Sequence, residues 1–423
     1  MSKASKIFFP NLNGLRFIAA FVVIIHHLEQ NKLFFGAKSW FQEIHCIKLI
    51  GELGVTLFFV LSGFLITYLL LAEKERFNTV DIKKFYIRRV LRIWPLYYLV
   101  IIMGLFVLPH IPFFHVPEFT EQVHYKFGTK IALYLFLLPN LVNNLYAYMP
   151  FIAQAWSIGI EEQFYYIWPW MVRYTNHYLR TLVGIVVGML ILTIGLSFFA
   201  DKSADISTAT TETKVLTLLF RFFSFLRIGC MAIGGIGAYY LYYLKINVLR
   251  PIFKPVTQIV TTLAVLLMTL FGVEIPVINH EFYSLFFIII ILNFAANPDC
   301  LVSLENKTLD YLGKISYSLY MWHGVAILIS LRITQLINPK IDDFSSNAVY
   351  YVLAMLISVG FAMLSYEYFE TKFLKFKHLF VKIDSGREAQ VEKAPASLEK
   401  GVEMDKKVSN TVTSKQPQNI FTE

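Results

Sequence analysis

Long apolar runs separated by short polar stretches dominate the chain. Crossing a hydrocarbon layer about 30 Å thick takes roughly 20 apolar residues in a helix. Eleven runs are candidate spans by this measure, and they lie near 10–28, 49–72, 95–109, 131–147, 157–173, 181–200, 217–242, 255–273, 281–298, 311–335 and 347–369. The pattern predicts an all-α fold, a polytopic bundle of membrane helices.

The charges between the runs predict how the bundle is oriented. Residues 73–92 contain seven Lys or Arg against three acids, and 250–255 and 372–378 are also basic. Loops on the cytoplasmic side are enriched in Lys and Arg, so these segments should be cytoplasmic. The runs at 95–109 and 131–147 must then make one net crossing, so one of them should be interfacial or re-entrant. We therefore expect about ten transmembrane helices with both termini cytoplasmic.

Composition agrees with a multi-pass protein of the cell (inner or plasma) membrane. The 423 residues are 56% hydrophobic and 16% charged, with a net charge of +9. The Lys and Arg cluster in loops between spans, so they indicate topology rather than nucleic-acid binding. Residues 1–380 should form an integral-membrane domain. Residues 381–423 are polar and poor in aromatic side chains, which predicts a disordered cytoplasmic tail.

Ionisable residues inside the first run indicate a functional site, because such groups are costly in a membrane and are usually functional. His27 follows Arg16 by eleven residues, which returns it to within about 20° of the same helix face, roughly 16 Å further along the axis. His26 points about 80° away. The geometry favours His27 as a general base on a polar path that includes Arg16, and His26 as a satisfied interfacial histidine.

A second polar face runs through WSIGIEEQFYYIWP at 156–169. Ser157, Glu161 and Tyr165 recur at i, i+4 and i+8 and share one helix face, whereas Glu162 is turned about 100° aside. Counting spans puts Glu161 and His27 in the outer half of the membrane, where the carboxylate could orient the imidazole. An ordinary ion pair with Lys or Arg is the alternative.

Three arginines, Arg88, Arg89 and Arg92, precede the run at 95–109. Arg88 and Arg92 share a face, and guanidinium groups suit phosphate, although anchoring by basic residues is the commoner explanation of such clusters.

Two further segments carry polar residues within apolar runs. In GKISYSLYMWHG, Ser316, Tyr320 and His323 share a face that could serve packing or a site. Ser62-Gly63 in FFVLSGFLIT is more typical of a close helix contact than of a nucleophile.

Together these segments, in this order, resemble the membrane-bound acyltransferase family 3, whose members are O-acetylases of lipopolysaccharide, peptidoglycan, exopolysaccharide and other glycans. The resemblance runs from Asn11 to about Lys372. It implies an acyl-CoA donor on the cytoplasmic side, with acetyl-CoA expected, and an acceptor hydroxyl on a glycan or glycolipid. Acyl transfer of this kind needs no metal, and the sequence shows no His, Asp and Glu set with convincing ligand spacing, so we expect neither a metal nor a bound cofactor. The resemblance places seven residues on functional positions of the family: Arg16, His27, Arg88, Arg89, Arg92, Trp156 and Glu161.

On this hypothesis Arg16 neutralises a phosphate or carbonyl of the donor, and His27 deprotonates the acceptor hydroxyl. One departure is the ending SYEYFETKF of the last run, where the family commonly has a Glu-Arg-Pro turn, so the resemblance assigns no role to Glu370. Two other classes of function remain open. A glycan or lipid transporter or flippase could use the buried charges as a proton relay, and a non-catalytic membrane scaffold would leave them unexplained.

Overall fold

The computed structural model describes residues 6–41, 43–116, 124–146, 149, 151–200, 211–380 and 384–385. Helices dominate this part of the chain, and all of them lie in one compact unit, Pro10–Val381. Two short strands, β1 (Lys6–Ile7) and β2 (Asp384–Ser385), pair in parallel in a separate unit. The tail predicted for 381–423 lies outside the described residues, apart from β2.

The α-helices of this unit are numbered here in chain order. They are α1 Leu12–Phe34, α2 His45–Phe77, α3 Ile82–Ile102, α4 Phe127–Leu135, α5 Pro139–Leu145, α6 Ala155–Tyr174, α7 Tyr178–Phe199, α8 Thr211–Phe225, α9 Ile228–Tyr242, α10 Ile246–Ile252, α11 Pro255–Leu270, α12 Asn279–Ala296, α13 Lys307–Lys314, α14 Ser316–Gln335, α15 Phe344–Ser365 and α16 Thr371–Lys377.

Several helices are long and apolar enough to cross a membrane. Within the described residues there are seven, or eight if α10 and α11, which are bent by 64°, form one span. Two further helices, α6 and α14, are 20 residues long but carry more polar side chains. The prediction of a multi-pass helical membrane protein is confirmed.

Helix length distinguishes the run at 95–109 from the run at 131–147. The first lies within a continuous helical stretch, Ile82–His110. The second is broken into α4, nine residues, and α5, seven residues. Nine residues reach only about 14 Å along a helix, half the hydrocarbon thickness. The segment instead folds against α6, where Gln163 donates to Asn140 Oδ1 at 2.9 Å.

Small residues let α2 pack tightly against its neighbours. A Cβ on Gly63 would lie 1.9 Å from the Met231 carbonyl oxygen, and one on Gly234 would lie 2.1 Å from that of Val60. Backbone contact between α2 and α9 therefore requires glycine on both sides. The interpretation of Ser62-Gly63 as a close helix contact is confirmed for Gly63.

The first helix continues beyond the predicted run at 10–28, to Phe34. Its last turns carry a fully buried ion pair between Lys32 Nζ and Glu29 Oε1, at 2.5 Å. Glu29 also accepts from the Trp40 backbone N–H and from Tyr351 OH, both at 2.6 Å. Because the two charges neutralise each other and are hydrogen-bonded, they do not end the helix as the apolar pattern suggested.

Candidate functional site

A small cavity of about 90 Å³ lies among α1, α2, α3, α6 and α14. A single water needs at least about 10–15 Å³ of such space, so the cavity could hold several. Eight of the residues singled out from the sequence line it: Arg16, Arg89, Arg92, Ser157, Glu161, Tyr165, Ser316 and Tyr320. Residues from five separate helices thus converge on one space.

Glu161 is the carboxylate in the cavity wall. Its two oxygens accept hydrogen bonds from Ser62 Oγ at 2.7 Å and from Tyr165 OH at 3.2 Å. As predicted, Glu162 points elsewhere and accepts from Trp94 Nε1 at 3.1 Å. With three guanidinium groups and one carboxylate in its wall, the cavity has an excess of positive charge and suits an anion.

The arginines on α3 separate into two groups. Arg89 and Arg92 line the cavity, whereas Arg88 pairs with Glu73 at 3.1 Å and donates to the Phe380 carbonyl oxygen at 3.0 Å. Of the two arginines predicted to share a face, Arg92 thus lines the cavity and Arg88 does not. The physical reason is Glu73, whose side chain is almost fully buried and takes Arg88 as its counter-charge.

His27 lies further along α1, outside the lining of this cavity. Its Nδ1 donates to the Val23 carbonyl oxygen at 2.9 Å, so the other ring nitrogen, Nε2, carries the lone pair of the neutral imidazole. The His27 ring lies beside the rings of His26 and His323, with centroid distances of 4.8 and 4.9 Å. His26 packs against Gly51, and its Nδ1 lies 3.0 Å from the Lys48 carbonyl oxygen, as expected of a satisfied interfacial histidine.

The structure does not bring Glu161 to His27, contrary to the expectation from span counting. Along α2, His26 contacts Gly51 and Glu161 contacts Ser62, eleven positions later, an axial distance of about 16 Å. The broken segment α4–α5 explains the difference, because it leads the chain into the bundle before α6 begins. Residues 151–155 are all buried. Glu161 is therefore level with Arg16 rather than with His27.

Trp156 belongs to a second polar cluster, which the sequence reasoning missed. Its ring packs against Phe59 and Phe225, and the Arg227 guanidinium lies 5.4 Å from the ring centroid. Arg227 Nη1 donates to His280 Nδ1 at 2.9 Å. Arg227 interrupts the apolar run at 217–242, and this was the signal that could have drawn attention to it.

Contacts on α14 extend the site beyond the cavity. Tyr320 OH and Ser157 Oγ lie 2.8 Å apart, and the Tyr320 ring centroid is 5.6 Å from that of His323. The side chains of Tyr320, His323 and His27 thus form a continuous series from the cavity wall along the bundle. Two cavity residues, Ser62 and Tyr317, had no predicted site role.

Glu370 is buried close to this region. Its Oε1 accepts from Ser318 Oγ at 2.6 Å and from Ser365 Oγ at 3.0 Å. Despite the altered ending of the last span, this carboxylate joins α14 to the end of α15.

Comparison with known proteins agrees with the resemblance in the motifs. The chain is 28% identical over 400 residues to the peptidoglycan O-acetyltransferase OatA of Listeria monocytogenes, covering 88% of this chain and 57% of that protein. It is 27% identical over 382 residues to the O-acetyltransferase OatA of Staphylococcus aureus, covering 87% of this chain and 57% of that protein. The chain thus spans little more than half the length of these curated relatives. No solved structure matches it.

The family model for the acyltransferase domain matches residues 9–367, which include the arginine-lined cavity and the three clustered histidines. The chain therefore belongs to acyltransferase family 3.

Proposed function

We propose that this chain is a membrane O-acyltransferase of the cell membrane. It transfers an acyl group, acetyl in the simplest case, from cytoplasmic acyl-CoA to a hydroxyl of a cell-surface glycan or lipid-linked saccharide. Family membership supports acyl transfer, and the two relatives named above are O-acetyltransferases, one of them of peptidoglycan. The observation that carries the proposal is the separation between the arginine-lined cavity and His27.

The distance between the arginine-lined cavity and His27 fits the length of an acyl-CoA molecule. Arg16 and His27 are eleven residues apart on α1, about 16 Å along the axis. In CoA the phosphates are joined to the thioester by a pantetheine arm. Its extended length is close to that of a four-residue peptide, ~14 Å at 3.3–3.6 Å per residue. Phosphate bound at Arg16, Arg89 and Arg92 would therefore place the thioester near His27.

The hydrogen bond of His27 suits this residue to act as a general base. The Nδ1–H of His27 is held by the Val23 carbonyl, so Nε2 can accept the proton of an acceptor hydroxyl. The oxygen then attacks the thioester carbonyl carbon, the carbon–sulfur bond breaks, and the ester and the CoA thiol are formed. Glu161 acts in this scheme as a counter-charge within the arginine site, since it lies level with Arg16.

The proposed orientation has ten spans. They are the eight helical stretches that are long and apolar enough, with α10–α11 taken as one, together with α6 and α14. An even number puts both termini on one side, and the basic segment 73–92 makes that side cytoplasmic. The arginines then approach the cytoplasm, and His27 lies toward the outside. A cysteine at Thr79 that reacts with an impermeant thiol reagent applied to intact cells would reverse this orientation.

The decisive experiment uses purified protein in vesicles with radiolabelled acetyl-CoA and muramidase-digested peptidoglycan. The proposal expects label in the glycan and stoichiometric release of CoA thiol. A transporter would move glycan across the vesicle membrane without consuming donor, and a scaffold would do neither. Mass spectrometry of surface glycans from cells with and without the protein would identify the acceptor.

A further inference from the structure

The three histidines near the end of α1 are not equivalent. His27 is flanked by His26 on one side and by His323 of α14 on the other, at ring-centroid distances of 4.8 and 4.9 Å. His26 faces Phe41, at 5.0 Å, and the first turn of α2. His323 faces Tyr320, which lines the arginine cavity. Only His323 therefore lies between His27 and the donor site.

His323 is also held in one tautomer. It is 1% exposed, and its Nδ1 lies 2.5 Å from the Tyr320 carbonyl oxygen. A carbonyl oxygen only accepts, so Nδ1 carries the hydrogen and Nε2 carries the lone pair. His323 and His27 thus present the same basic nitrogen, and each is fixed by a carbonyl of its own helix.

We propose that His323 is a second catalytic residue, which returns the proton to the sulfur of the leaving CoA. This inference rests on the proposed function. The proton of the acceptor hydroxyl passes to His27 Nε2 as the oxygen attacks the carbonyl carbon. It then passes from His27 to His323 Nε2 and on to sulfur as the carbon–sulfur bond breaks. The turnover yields one ester and one thiol, and no proton is gained or lost.

The need for such a residue comes from burial. The donor thioester and the acceptor hydroxyl approach His27 from opposite ends of the bundle, so the leaving sulfur lies on the donor side. A thiolate released there, beside a side chain that is 1% exposed, would be a charge buried away from water. Protonation by His323 avoids that charge.

The test compares two small acetyl donors that differ in their thiol. One is the acetyl thioester of N-acetylcysteamine, an alkyl thiol, and the other is that of 4-nitrothiophenol, whose much more acidic thiol leaves as a delocalised anion. Muramidase-digested peptidoglycan serves as acceptor, and acetyl transfer is measured for the wild type and for His323→Asn. The Asn amide can still donate to the Tyr320 carbonyl, which preserves the local fold.

Loss of a general acid typically lowers the reaction rate 10²–10⁴-fold. The rate of acetyl transfer by His323→Asn should therefore fall at least 100-fold with the alkyl thioester and less than tenfold with the aromatic one. His27→Asn should lose activity with both donors, and His26→Asn, the matched control beside the same ring, should show no dependence on the thiol. A loss in His323→Asn that is equal for both donors, or no loss, would overturn the inference and leave the proposed function standing. If the wild type transfers acetyl from neither donor and not from acetyl-CoA, the proposed function itself fails.

Discussion

Replacing Gly63 by Ala should separate α2 from α9. The added Cβ would lie 1.9 Å from the Met231 carbonyl oxygen and 2.7 Å from Met231 Cα, whereas real Cβ contacts are essentially never under 3.0 Å. One of the two backbones must therefore move by roughly 1 Å. Overpacking of this kind typically costs about 1–3 kcal/mol, and here no side-chain rotation can relieve it. The gain in helix propensity from Gly to Ala, about 1 kcal/mol, offsets only part of that cost.

The matched control is Gly188→Ala, in the middle of α7. Beyond the nearby backbone of α7 itself, no atom lies within 4 Å of the Cβ that this substitution would add. Only the propensity gain therefore applies, and stability should be unchanged or slightly higher. Unfolding can be followed with a thiol-reactive dye, because Cys230 on α9 is fully buried and becomes reactive when α9 separates from α2. Both variants are best made in a protein that lacks the two partly exposed cysteines, Cys46 and Cys300.

Gly63→Ala should unfold several degrees below the wild type and should lose transfer activity, because the next residue toward the N-terminus, Ser62, holds Glu161 in the cavity wall. The reasoning is refuted if Gly63→Ala unfolds at or above the temperature of Gly188→Ala.

Four further predictions concern the site and its surroundings. His27→Ala should abolish transfer while the protein still folds and binds acyl-CoA, whereas His26→Ala should be milder; a dead His26→Ala beside an active His27→Ala would show that the wrong imidazole was assigned. Glu161→Gln should lower the unfolding temperature of the protein without CoA, because it removes the carboxylate that shares the cavity wall with three guanidinium groups. CoA should stabilise this variant more than the wild type, and equal stabilisation in a thermal-shift assay would exclude that counter-charge role. Arg92→Ala should raise the KM for acyl-CoA about 10–100-fold, since a hydrogen bond to a charged group contributes about 1.5–3 kcal/mol. Arg88→Ala should instead lower stability, because it leaves Glu73 buried without its partner, and the two kinds of effect are distinguished by measuring KM and unfolding temperature for both variants.

The sequence was sufficient for the class of fold and for most residues of the cavity. Helical spacing alone placed Ser157, Glu161 and Tyr165 on one face, and that face lines the cavity. The side chains are neighbours within a single helix, so no knowledge of tertiary packing was needed.

Relations between helices were harder to predict. Span counting placed Glu161 beside His27, but periodicity does not reveal how deeply a broken segment such as 127–145 enters the bundle before the next helix begins. The apolar pattern also ended α1 too early, at residue 28. Glu29 neutralises the charge on Lys32, and side chains of α15, more than 300 residues away in sequence, hydrogen-bond to both. The pairing of Arg88 was also unpredictable from helical spacing, because its partner Glu73 lies on another helix.

The buried charges of α1 also affect how the protein is made. The most apolar 18 residues of α1 have a mean hydropathy of 1.3, against 2.3 for those of α2. A basic residue within a span adds to the free energy of insertion by the translocon, by up to about 2.5–3.5 kcal/mol at the span centre. Tyr351, which hydrogen-bonds Glu29, is synthesised more than 300 residues after it. The segment α1, which leaves the ribosome before α2, is thus poorly suited to enter lipid alone. We expect α1 to remain at the translocon until α2 arrives and the two insert as a hairpin. A nascent chain truncated after residue 44 should then be extracted by alkaline carbonate, and one extended to residue 80 should resist extraction.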